Sequence, residues 1–217
     1  VLAGAAETAW FQERLRQGGS LDGIGTALSA AVARSQQATA RWPFEAGAWL
    51  AQGRLYQALM PAAQGADQFA IRAYQEGLRR APRHPGFPFG IAQVFLWRAQ
   101  TFGQQAAGAD AVQGKALAEA RLEQLRLAAQ WFKRALDQKP DDLSLRYAYA
   151  VTLAQAGDVA GALPLFQAFV AAEPARTDLR LEYATLLEAA GQRPEAIRLA
   201  EGIGSQDPAF LQAQRLL

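Results

Sequence analysis

Three prolines, Pro140, Pro174 and Pro208, stand 34 residues apart, and the stretches between them match position by position. Tyr149 lines up with Tyr183, Gly157 with Gly191 and Ala162 with Ala196. A fixed period of that length means one small supersecondary unit repeated along the chain. Such a unit cannot bury its apolar face alone, so it stacks on its neighbours and builds an extended array. Each copy reads as a helical pair broken at its glycine. No segment alternates apolar and polar residues over a strand's length between turn signals, so no sheet is expected. The fold class is all-α.

The same punctuation runs back to the N-terminus. Residues 5–17 (AAETAWFQERLRQ) have helical spacing, with Ala6, Trp10 and Leu15 on one face, and Gly18-Gly19 ends the segment. Ser20 and Asp22 can cap a second helix running to Arg41, with Ala27, Leu28, Ala31 and Ala38 inward. Trp42-Pro43 stops it, because the residue before a proline avoids the helical region. Further helices are expected over 45–60, 68–81, 90–102 and 110–139, with RHPGFP as a turn before the third of them and Gly103 as its end. This divides the chain into an N-terminal helical pair (1–42), an array over 45–208 in units 46–82, 85–140, 143–174 and 177–208, and the start of a capping helix at 209–217.

The spacing and its small and large positions resemble the tetratricopeptide repeat. Trp49, Gly53 and Tyr56 stand where that family's first helix carries Trp, Gly and Tyr, and Ala70, Tyr74, Gly77 and Pro82 follow its second helix. The next unit keeps Ala92, Phe95, Ala128, Phe132, Ala135 and Pro140. The two regular units add Leu153, Phe166 and Phe169, then Leu187, Ala200 and Pro208, to the matched residues above. Small residues let paired helices approach, and large ones fill the groove between neighbours. The resemblance covers about 45–208 and implies a right-handed α-α superhelix of about four repeats.

Two places depart from the pattern. The unit ending at Pro82 is about five residues too long between its helices, and the one ending at Pro140 carries about 24 extra residues, 104–127. Leu117, Leu122, Leu125, Phe132 and Leu136 keep helical spacing through the insertion. Its helix is therefore expected to run past the stack by roughly 24 Å, at 1.5 Å per residue. Its leucines would then be covered by the N-terminal helices or by another subunit.

Composition narrows the chemistry. The net charge is +2, and the 22 basic residues are interspersed with 20 acidic ones, which gives no stripe for nucleic acid. There is no cysteine for a disulfide or thiolate metal site, and no run of about 18 apolar residues to span a membrane. Val1 is not a Met, so the chain is expected to be a processed protein or a piece of something longer, and a membrane would be reached only through segments outside it. His84, the single histidine, sits in a turn without a cluster of ligands and reads as solvated. Asp141-Asp142 follow a proline at a helix start, where capping explains them. Gly23-Ile24-Gly25 lacks the third glycine and the preceding strand of a dinucleotide loop. No catalytic set, metal or cofactor is expected, and the chain is not read as an enzyme.

What remains is a binding surface. In tetratricopeptide proteins the first helices line a concave groove, and the positions concerned fall here on Leu50, Arg54 and Gln57; Phe89, Gln93, Leu96 and Trp97; Ser144, Tyr147, Val151 and Gln155; and Asp178, Leu181, Thr185 and Glu188. Leu50, Arg54 and Gln93 occupy three positions where carboxylate-clamping members of the family carry Lys or Asn, so that clamp is not expected. Such a groove suits an amphipathic helix or an extended apolar peptide, because each buried apolar side chain contributes about 1.5–3 kcal/mol. The resemblance thus implies a non-catalytic scaffold for a protein or peptide partner within a larger bacterial assembly. The alternative is an extracytoplasmic accessory domain of a membrane-anchored enzyme or envelope machine; a homo-oligomer joined through the long helix is a third reading. An extracytoplasmic place is slightly preferred to a cytoplasmic one.

Overall fold

The computed structural model describes residues 21–201 and 203; the helix expected at 5–17 and the capping helix at 209–217 lie outside them. Among the described residues there are helices and turns and no strand. In chain order the helices are α1 (Leu21–Arg41), α2 (Ala46–Leu59), α3 (Ala66–Arg80), α4 (Gly86–Ala107), α5 (Ala111–Gln138), α6 (Leu143–Gln155), α7 (Val159–Ala172), α8 (Thr177–Ala189) and α9 (Arg193–Glu201). Each packs on the next along the chain, and α2 also touches α4. That is the contact pattern of an α-solenoid: neighbours in sequence are neighbours in space.

Local sequence explains most of the boundaries. Glu45, Asp110, Asp142 and Asp158 cap α2, α5, α6 and α7, each accepting a backbone N–H of the first turn. The two regular units end their first helices identically. Gly157 and Gly191 take φ of +80° and +77°, the left-handed region that glycine enters without strain. Around the first, Gly157 N donates to Ala154 O (3.1 Å) and Asp158 N to Leu153 O (2.9 Å); around the second, Gly191 N donates to Glu188 O (2.9 Å) and Gln192 N to Leu187 O (2.8 Å). These paired bonds satisfy the last carbonyls of α6 and α8 and set the next helix back against them.

Packing follows the small–large alternation. The ring of Tyr74, 1% exposed, lies between Gly53 on α2 and Gly90 on α4, and Phe87 packs against Gly77 in the same way. The described core falls into three clusters. One joins α2, α3 and α4 around Tyr74, Phe87 and Ile91. A second joins α4, α5 and α6 through Ala92, Phe132, Ala135 and Leu145. The third runs from Ala129 of α5 to Ile203 around Phe166, Tyr183 and Leu187.

The structure corrects the sequence reading at the insertion. The fourth helix does not wait for Gly90 or stop at Gly103. It begins at Gly86 and runs to Ala107, because Pro88 sits in the first turn, where no N–H partner is lost. Gly103 is a contact rather than an end: a Cβ there would lie 3.4 Å from Cδ of Arg121 on α5. Both helices of the unit are thus elongated, and they cover one another. Ala99, Gly103 and Ala106 on α4 form a small-residue seam at helical spacing, and Gly114 of α5 comes close to the carbonyl of Ala106. In this hairpin Leu125 is buried and Leu117 and Leu122 are half-buried. Arg98 ties this hairpin to the stack through Asp67 at the start of α3 (Nε to Oδ2, 2.7 Å).

His84 also departs from expectation. It is half-buried, its ring 5.2 Å from that of Phe87, and its Nδ1 accepts the backbone N–H of Gly86 at 3.1 Å. Pro85 offers no side-chain cap to α4, and the imidazole supplies one.

Candidate partner-binding groove

The residues singled out from sequence lie on α2, α4, α6 and α8, the first helices of successive pairs, and several meet across the junctions. Leu50 packs at the start of α4, its Cδ2 3.1 Å from where a Cβ on Gly86 would sit. Gln57 Nε2 donates to Gln93 Oε1 at 3.5 Å. Phe89 and Ser144 line one cavity of about 320 Å³, with His84, Lys139 and Leu145. Tyr147 on α6 donates from Oη to both carboxylate oxygens of Glu182 on α8, each at 3.0 Å.

The side chains differ in how freely they face outward. Arg54, Gln93, Gln155 and Thr185 are exposed, and among the described residues no carboxylate lies within ion-pair distance of Arg54. The Thr185 hydroxyl turns back to donate to Leu181 O at 2.9 Å. Phe89 and Tyr147 are half-buried and tied into the core: Phe89 meets Phe132 edge to face at 5.8 Å, and Tyr147 meets Phe166 and Phe169 at 6.2 and 5.7 Å. Val151 packs on the same C-terminal cluster. Leu181 is 9% exposed and belongs to that cluster itself, so its side chain is closed to a partner. Trp97 is the exception among the aromatics. It is half-buried yet packs against none of the three buried clusters, and its indole N–H has no acceptor among the described residues.

Two polar partners were not foreseen. Tyr74 Oη donates to Gln57 Oε1 and so orients the amide that reaches Gln93. Burial drives the Tyr74 phenol well above its ordinary range, so it remains a neutral donor. Glu182 stands beside Leu181 rather than at a groove position, and burial raises its carboxyl. Burial, helped by the Glu182 hydrogen bond, pushes Tyr147 up to about 12. Among the described residues no three His, Cys, Asp or Glu side chains cluster as metal ligands would, and no helix is long and apolar enough to cross a membrane. The arrangement offers amides, a free indole and a single guanidinium.

Comparison with known proteins gives a repeat pattern at the C-terminal end and the fold. The tetratricopeptide repeat pattern matches residues 153–217, while no curated protein matches the chain. Among solved structures, a MamA double mutant is similar at 18% identity and a TM-score of 0.55 over 77% of this chain and 81% of that one. A second MamA structure aligns over 98% of this chain and 92% of its own at 10% identity, with a TM-score of 0.56. PilW, described as a widely conserved type IV pilus biogenesis factor, aligns over 99% of this chain and 79% of its own at 16% identity, with a TM-score of 0.51. The C-terminal end carries the tetratricopeptide repeat's sequence pattern, and the stacked helix pairs from α2 onward continue it in the fold of a tetratricopeptide-type solenoid.

Proposed function

We propose that the chain is a non-catalytic scaffold that holds a protein or peptide partner along the first-helix face, from Arg54, Gln57 and Gln93 to Trp97 and on toward Val151. The observation that carries this reading is Trp97. A large aromatic that is partly shielded, outside every core cluster and with its N–H free, is the type of side chain that anchors a partner. Gln93 lies one turn away, and the Gln57–Gln93 pair presents amide groups that can exchange their weak mutual bond for a partner's backbone.

Affinity capture from the source cell with wild-type chain and with Trp97→Ala tests this. A specific protein retained by the first and lost by the second, with melting of the two chains alike, supports the reading. Identical captured sets would refute it, as would a partner whose binding depends only on α9 or the hairpin tip.

A further inference from the structure

The inserted segment adds one charged side chain, Arg126, to a cleft between α5 and α6. Arg126 lies within 104–127, and with Gln130 and Lys133 it falls on one face of α5 at i, i+4 and i+7. Opposite stand Tyr149 of α6 and Asp158 of the α6–α7 turn, and together these side chains enclose a cleft of about 350 Å³. Its base is apolar: Ala129 and Leu153 are buried and Ala156 half-buried. A cleft of this volume admits a small organic molecule or one chain end.

Its charges are arranged in an unusual way. Arg126 and Asp158 line the same space, yet among the described residues no carboxylate comes within ion-pair distance of Arg126. The two walls hold opposite charges apart. One oxygen of Asp158 is occupied as the cap of α7, accepting from Gly161 N at 3.0 Å; the other has no donor among the described residues. Lys133 pairs with Asp137 at 3.0 Å on the open surface, an interaction that holds it only lightly. The phenol of Tyr149 is kept protonated by its burial and can donate. With Arg126 and Lys133 set against Asp137 and Asp158, the cleft is close to neutral, so a multiply charged anion such as phosphate would meet repulsion at Asp158.

We propose that this cleft binds a small zwitterionic ligand: a carboxylate held by Arg126 and Gln130, joined by a short carbon chain over Ala129 and Leu153 to an ammonium that meets Asp158. The site is separate from the first-helix groove and does not depend on that reading. Isothermal titration of the full chain with 4-aminobutyrate, succinate and 1,4-diaminobutane tests it. 4-Aminobutyrate should bind saturably and more tightly than either symmetric probe. Arg126→Gln should weaken it at least tenfold. Asp158→Asn should remove its advantage over succinate while keeping the helix cap, because Asn caps as well as Asp. Both positions are exposed, and melting followed by circular dichroism checks that the variants fold. No saturable binding of 4-aminobutyrate, unchanged affinity in Arg126→Gln, or equally tight binding of diaminobutane would overturn the proposal.

Discussion

Gly53→Ala should destabilise this protein even though Gly53 lies in the middle of a helix. Helix propensity alone predicts a gain of about 1 kcal/mol, since glycine is the costlier residue there. The structure reverses the sign. A Cβ on Gly53 would stand 2.3 to 2.6 Å from Cε1, Cζ and Cδ1 of Tyr74, so the ring would have to move. It has nowhere to go: the position a Cβ would take on Gly90 is already 2.5 to 2.8 Å from the same ring on α4. The ring is fully buried and its hydroxyl is bound to Gln57. Overpacking a core costs about 1–3 kcal/mol, and a ring confined on both faces puts this case at the upper end. Set against the propensity gain, the net loss is about 2 kcal/mol. Urea unfolding followed by circular dichroism measures it, with hydrogen exchange locating the loss in α2 to α4, because repeat arrays need not unfold in one step. In a Tyr74→Leu background the added methyl finds room and the penalty should vanish. A neutral or stabilising Gly53→Ala, or an equal penalty in both backgrounds, would refute the reasoning.

Gly157→Ala and Gly191→Ala should each cost about 1 kcal/mol, and the same amount, in thermal unfolding. Both residues have positive φ with nothing within 4 Å of a would-be Cβ, so a left-handed backbone cost of about 1–2 kcal/mol is only partly offset by the stiffer unfolded chain. Tyr147→Ala should lose about 2–3 kcal/mol in urea unfolding, from two edge-to-face ring contacts and the buried ring area; Trp97→Ala, outside the core clusters, should lose less than about 1 kcal/mol. Tyr147 should also mark the alkaline limit of stability. Its folded value near 12 lies above the ordinary 10.0, so its contribution is complete below pH 10.0 and disappears as pH rises through about 12. Ultraviolet titration of wild type against Tyr147→Phe should show that late-titrating phenol disappear, and stability should fall less steeply over that range in the variant.

How much of this could be read from the chain depends on whether a residue acts on its own backbone or on a distant partner. Pro43, Asp110, Asp142 and the pair Gly157 and Gly191 act within a turn of themselves, and the helix ends they mark lie where local chemistry puts them. Gly103 carries the same letter as Gly157 but does the opposite: α4 runs straight through it, and it faces Arg121 on the next helix. A turn glycine and a packing glycine can be distinguished only once the partner is known, and the unit's elongated first helix was hidden for that reason. His84 is a second case: its neighbours in sequence suggested a solvated turn, and its role as a cap follows from Pro85 having no acceptor to offer.

The groove divides along the same line. Gln57 and Gln93, both on first helices, meet because the small residues beneath them let those helices stack closely. Family position did not distinguish Tyr147 from Leu181, which hold equivalent places in successive units. A tyrosine can bury its ring against Phe166 and Phe169 and still send its hydroxyl to Glu182, whereas a leucine has no polar tip to leave at the surface and is drawn wholly into the core. Repeat position therefore fixes which way a side chain starts, and its chemistry decides how much of it remains for a partner. By that criterion Trp97 gains its weight from where it stands rather than from its type. It stands half-buried on α4 yet outside the three core clusters, which leaves part of its ring and its N–H to a partner.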